Sequence, residues 1–76
     1  MDLVGKMMMV RQDLMRHDRG EYVYMTGDIY DRRGKPGRVV EKHEGMPIYR
    51  LEVGDRVIGW IQEDWLVPAL IDNRSL

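Results

Sequence analysis

The chain of 76 residues has no cysteine, so neither a disulfide nor a thiolate-bound zinc can brace it. A cysteine-free chain suits a reducing compartment. No apolar run approaches the length needed to span a bilayer. The N-terminus lacks the order of a signal peptide: Asp2 stands where a basic region belongs, and Met7-Met8-Met9-Val10 is too short for the apolar stretch. A cytoplasmic protein with no membrane partner is therefore expected. There is no excess of cations either. A net charge of −1 argues against a generic polyanion binder, which needs many unopposed Lys and Arg contacts. Hydroxyl nucleophiles are scarce, with only Thr26 and Ser75 apart from the tyrosine phenols, so no Ser-His-Asp or Cys-His arrangement can be assembled. His17 and His43 lie far apart in charged stretches, which reads as solvent-facing rather than metal-ligating. No catalytic residue, cofactor or metal site is expected. No sustained 3.6-residue apolar stripe is present, because Met7 to Met15 is broken by Arg11, Gln12 and Asp13.

What the chain does have is punctuation. Eight glycines and three prolines divide it into short segments, which favours strands and turns over long helices. The clearest unit is a hairpin from Pro47 to Ile61, whose two arms flank Gly54-Asp55. Gly first in a two-residue loop suits a II′ turn. That turn sets Val53 opposite Arg56, Leu51 opposite Ile58 and Tyr49 opposite Trp60, so Tyr49, Leu51, Ile58 and Trp60 share one face, the expected core face. Glu52 with Val57, Arg50 with Gly59 and Ile48 with Ile61 fall on the other. Arg38 to Lys42 reads as a strand after the turn Gly34-Lys35-Pro36-Gly37, and Lys6 to Arg11 as a first strand. In the latter, Met7 and Met9 point one way and Met8 and Val10 the other, with one pair filling the core. Glu63-Asp64-Trp65 reads as one helical turn, and Leu66-Val67 as a closing strand. The long stretch Asp13 to Arg33 should fold back as its own ribbon or carry function, and Glu21 to Met25 within it has strand character. One domain over residues 1–71 is expected, with a flexible tail over 72–76.

Five short strands, a long first loop, a tight hairpin and a helical turn before the last strand resemble the Src-homology-3 (SH3) barrel. Gly59-Trp60-Ile61-Gln62-Glu63-Asp64-Trp65-Leu66 is similar to that family's Gly, aromatic, Ile or Phe, Pro, any residue, Asn, Tyr, Val segment. A wider similarity runs from about residue 4 to residue 68. Val4-Gly5-Lys6, Val10 to Leu14, Arg33-Gly34-Lys35, Tyr49-Arg50-Leu51 and Trp60 to Pro68 together look like small barrel proteins of phages and prophages. The implied fold is an all-β, five-stranded SH3-like barrel with a long first (RT-like) loop and one 3-10 turn. At the groove that takes polyproline in SH3 domains, this chain carries Met7-Met8-Met9, Ile48 and Gln62, and only Trp65 keeps an aromatic, so that ligand is not expected.

The remaining aromatics then draw attention. Tyr22, Tyr24, Tyr30 and Trp65 lie on or beside the long loop and the helical turn, which are neighbours in such a barrel. Tyr, Trp and Arg dominate binding hot spots. With Arg16 and Arg19 they form the candidate partner-binding surface, Asp18 and Glu21 completing its polar rim; the alternative is that Tyr22 and Tyr24 cover the open end of the barrel. The leading expectation is a non-catalytic phage or prophage accessory protein that binds, and in one version inhibits, a host or viral protein. A second reading takes Arg32, Arg33, Lys35 and Arg38 as a nucleic-acid contact, since Gly34, Gly37 and Val39 resemble the Gly-x-x-Gly-x-Val core of KOW elements. A third is a self-assembling structural or virion protein.

Overall fold

Residues 2–69 are described by a computed structural model of the chain. They form five strands: β1 (Met7–Val10), β2 (Gly37–Lys42), β3 (Ile48–Val53), β4 (Arg56–Gln62) and β5 (Leu66–Pro68). A five-residue helix, α1 (Gly27–Asp31), lies between β1 and β2, and a 3-10 turn (Glu63–Trp65) joins β4 to β5. The expected tail over 72–76 lies outside the described residues. The strands make one open antiparallel sheet in the order β4-β3-β2-β1-β5. The 3-10 turn is what allows the chain to leave one end of the sheet at β4 and reach β1, where Val10 meets Leu66 and Met8 meets Pro68.

The hairpin shows how local rules build the sheet and where they stop. Gly54 has φ +64, and the turn it forms with Asp55 pairs Val53 with Arg56, Glu52 with Val57 and Leu51 with Ile58 as expected. Beyond Ile58 the register shifts by one residue: Tyr49 pairs with Ile61 and Ile48 with Gln62. Gly59 and Trp60 thus stand together opposite Arg50, a β-bulge. Gly59 makes it possible, with φ +123; its peptide bond to Trp60 is cis. One extra residue carries every later side chain to the opposite face. Trp60 therefore leaves the core, correcting the expected Tyr49-Leu51-Ile58-Trp60 face, and Ile61 takes its place fully buried. Half-buried Trp60 packs instead with the Arg50 guanidinium 4.8 Å from its ring centre and the edge of His43 at 5.2 Å.

The core gathers Met8 and Val10 of β1, Val39 of β2, Tyr49 and Leu51 of β3, Ile58 and Ile61 of β4, and Leu66 of β5. Met8 and Val10 are thus the inward pair of the methionine-rich strand. Leu3, Leu14, Ile29 and Trp65 close this core from the loops. Ile29 comes from α1, an element too short to show a helical period in sequence. Its start is nonetheless orthodox: Thr26 is the N-cap, its Oγ1 accepting from the Ile29 N–H at 3.3 Å.

Candidate functional site

The long loop is tied down at its base by two arginines. Arg11, just past β1, donates to both carboxylate oxygens of Asp13 (3.0 and 2.7 Å) and to the Asp64 carbonyl at 3.0 Å, joining the start of the loop to the 3-10 turn. The bidentate bond holds the Asp13 carboxyl below its ordinary pKa and raises that of Arg11. Both groups are solvated enough that the pair contributes little stability. At the other end of the loop, Arg33 donates to the carbonyls of Tyr30 (2.9 Å), Leu14 (2.8 Å) and Gln12 (3.1 Å), and its guanidinium stacks on Tyr30, 3.7 Å from the ring centre. These bonds satisfy backbone carbonyls that no strand partner reaches.

Between these anchors the chain folds back as a narrow ribbon. The Gly20 N–H donates to the Val23 carbonyl (2.8 Å) and the Met25 N–H to that of Asp18 (3.1 Å), with Arg19 and Tyr24 bridged across. The ribbon is pinned to the sheet by Gln62, a side chain 3% exposed. Its Oε1 accepts from the Tyr22 N–H at 3.3 Å, and its Nε2 donates to the Asp64 carboxylate. A polar side chain buried this deeply is tolerable because both ends are satisfied. Gly20 lies so close that a Cβ there would overlap the Gln62 amide.

A direct consequence is that Gly20→Ala should expel Gln62 from its seat and cost about 1–3 kcal/mol, the penalty for unmaking buried hydrogen bonds. Urea titration reads the loss, and hydrogen exchange at the Tyr22 amide shows whether the ribbon has come loose. Unchanged stability together with unchanged Tyr22 protection would mean that Gln62 is not the pin.

The pinned ribbon and the 3-10 turn enclose a cleft of about 230 Å³ lined by Glu21, Tyr22, Pro47, Gln62, Glu63 and Asp64. The Tyr49 hydroxyl donates to Glu63 Oε1 at 3.2 Å. Burial, followed by the proximity of Glu63, pushes the Tyr49 phenol above its usual pKa. A second hollow of about 330 Å³ runs along the ribbon from Arg19 to Tyr24.

The expected partner-binding residues divide in three. Tyr22 and Tyr24 stand at the ribbon tip, 43% and 67% exposed, with the Arg19 guanidinium 5.5 Å from the Tyr24 ring centre. Tyr30 is half-buried at the loop base, with exposed Arg16 4.6 Å from its ring centre and Arg33 closer still. Trp65 is not at the surface: it is 4% exposed and belongs to the core, because the 3-10 turn directs it inward just before β5. Sequence reasoning also missed Gln62 as the pin and Pro47, Glu63 and Asp64 as cleft walls. The signal for Gln62 was its position, a polar residue ending an apolar strand.

The expected basic residues lie just after α1, on the turn before β2 and on β2 itself. Arg33 is engaged by the loop as described, and Arg32 has its N–H on the Ile29 carbonyl at the end of α1. Lys35 is exposed on the turn before β2, whereas Arg38 is exposed on β2 opposite Glu52. Among the described residues, no group of three or more His, Asp or Glu is placed to hold a metal ion, and no helix is long and apolar enough to cross a membrane. No family model, curated protein or solved structure matches the chain.

Proposed function

We propose that this chain is a non-catalytic protein-binding module with an SH3-like barrel fold, of the phage or prophage accessory type, whose partner is a host or viral protein. The observation that carries the reading is the ribbon from Asp18 to Met25, which Gln62 holds rigidly against the 3-10 turn while Tyr22 and Tyr24 remain open to solvent. Two tyrosines on a preorganised support bring large contact area at small entropic cost, the usual make-up of a hot spot. The barrel assignment draws its support from the strand order, the long first loop and the 3-10 turn before β5.

The partner docks on the ribbon tip and reaches into the cleft beside Tyr22. Glu21, Glu63 and Asp64 line that cleft together with the apolar faces of Tyr22 and Pro47, so a segment carrying Lys or Arg is the best electrostatic complement. The polyproline mode has no footing here, because Gln62 occupies the place of the groove proline and Trp65 is buried.

The test is affinity purification from a bacterial lysate, with mass spectrometry, using the wild-type chain and a Tyr22→Ala/Tyr24→Ala double variant. Both rings are exposed, so the double variant should keep its fold by circular dichroism. A protein retained by the wild type should be lost, or its affinity reduced at least about tenfold, as expected for two hot-spot rings. Equal retention by the folded double variant would rule out the ribbon as the binding surface.

A further inference from the structure

The outer face of the sheet, next to the row where the ribbon is pinned to Gln62, has an order of its own. Across β2, β3 and β4, Arg38 lies opposite Glu52, and Glu52 opposite Val57. In the next outward row Glu41 lies opposite Arg50, and Arg50 faces the bulge that carries Trp60. The two rows thus read cation, carboxylate, aliphatic and carboxylate, cation, aromatic. Val57 is 50% exposed, and Val40, the extra residue where β2 shifts register against β3, is 39% exposed. Trp60 adds its half-buried ring, steadied by Arg50, which is itself 3.6 Å from Glu41.

We propose that this outer face of β2, β3 and β4 is a contact between two copies of the chain, related by a two-fold axis that runs across the strands between the two rows. The charge pattern selects the second copy as the occupant. Rotation about such an axis lays each row on the other, so Arg38 meets the second copy's Glu41, Glu52 its Arg50, and Val57 its Trp60. Each contact occurs twice, as an isologous interface requires. A face of one charge sign would repel its copy, whereas this one sets each charge against an opposite one. The bulge at Gly59 matters here because it aims Trp60 at this face instead of the core. Two rows of three residues cover well under the ~800 Å² per partner of a stable interface, so the association is weak and depends on concentration.

Sedimentation velocity from about 10 µM to about 1 mM covers the range in which so small an interface should assemble. The wild type should sediment faster as concentration rises. Arg50→Glu and Glu52→Arg should each weaken self-association at least tenfold, because each places like charges opposite one another across the axis. An equal mixture of these two variants should associate again. The first then carries a carboxylate at both positions and the second a guanidinium at both, so both contacts between positions 50 and 52 across the axis join opposite charges. The same exchange applies to Arg38→Glu mixed with Glu41→Arg, a second pair that guards against one variant failing to fold. A wild type that stays monomeric throughout overturns the proposal. So does a mixture that associates no better than its folded components.

Discussion

Tyr49→Ala is expected to cost roughly 3–5 kcal/mol, a large share of the stability of so small a domain. Tyr49 is the largest of the fully buried side chains and sits on β3, between β2 and β4. Truncating a buried aromatic to Ala costs roughly 3–5 kcal/mol. A domain of this length holds only about 4–11 kcal/mol in total, so about a quarter to all of its stability goes. Circular dichroism with urea titration reads the result, and a folded variant less than about 1 kcal/mol below wild type would show that the core does not depend on this ring. Tyr49→Phe separates ring from hydroxyl. It keeps the packing and loses the bond to Glu63, at a net cost of about 1 kcal/mol.

The same residue makes the protein sensitive to alkali. Its phenol titrates above its ordinary value when folded, chiefly through burial. As pH rises past about 10, the unfolded chain gives up this proton while the folded chain still holds it. Stability is therefore complete below the unfolded pKa and falls as pH climbs toward the folded one. Comparison of wild type with Tyr49→Phe isolates this contribution, because the phenylalanine variant should lose less stability between neutral pH and pH values above about 10.

Gly59→Val is expected to be nearly as damaging, for a reason rooted in the backbone. At φ +123 a β-branched side chain is strained wherever it points, and a Cβ at this site would lie 2.7 Å from the Tyr49 carbonyl oxygen. That oxygen is main chain in a central strand, so it has no rotamer by which to yield. Backbone strain of about 1–3 kcal/mol and overpacking of similar size together put the cost at roughly 2–6 kcal/mol. The strain could be relieved by dropping the bulge, but an unbulged β4 would send Trp60 into the core and Ile61 to solvent. Neither pocket is shaped for that exchange. Thermal and urea unfolding measure the loss; a Gly59→Val protein as stable as wild type would mean that the bulge is dispensable. Val57→Thr on the same strand is a suitable control, being exposed and ordinary in backbone.

The two surfaces also answer to different experiments. The ribbon tip depends on Gln62 and Gly20 for its rigidity, so its binding should weaken with Gly20→Ala even though both tyrosines remain. The outer sheet face depends on the bulge and should be indifferent to that change. A Gly20→Ala protein that loses partner binding but still self-associates would separate the two surfaces cleanly.

Much of this architecture is written locally. Gly54-Asp55 dictates a two-residue turn, and the turn dictates the pairing of the three residue pairs nearest to it. Alternation sets Met7 and Met9 on one face of β1 and Met8 and Val10 on the other, the structure deciding which faces inward, and the 3-10 turn follows from residues 63–65 in sequence. The exposure of Tyr22, Tyr24, Arg16 and Arg19 was likewise legible, since a polar, glycine-marked loop gives such side chains little to pack against. What only the tertiary structure decided is the register beyond Ile58, and with it the exchange of places between Trp60 and Ile61. A turn fixes pairing only as far as the ladder is unbroken, and whether Gly59 bulges depends on how β2, β3 and β4 close around Tyr49. The inward path of Trp65, the burial of Ile29 in the core and the seat of Gln62 under Gly20 belong to the same class. Each is a contact between segments distant in the chain, set by which side chains fill the remaining volume, and no local pattern of the residues encodes it.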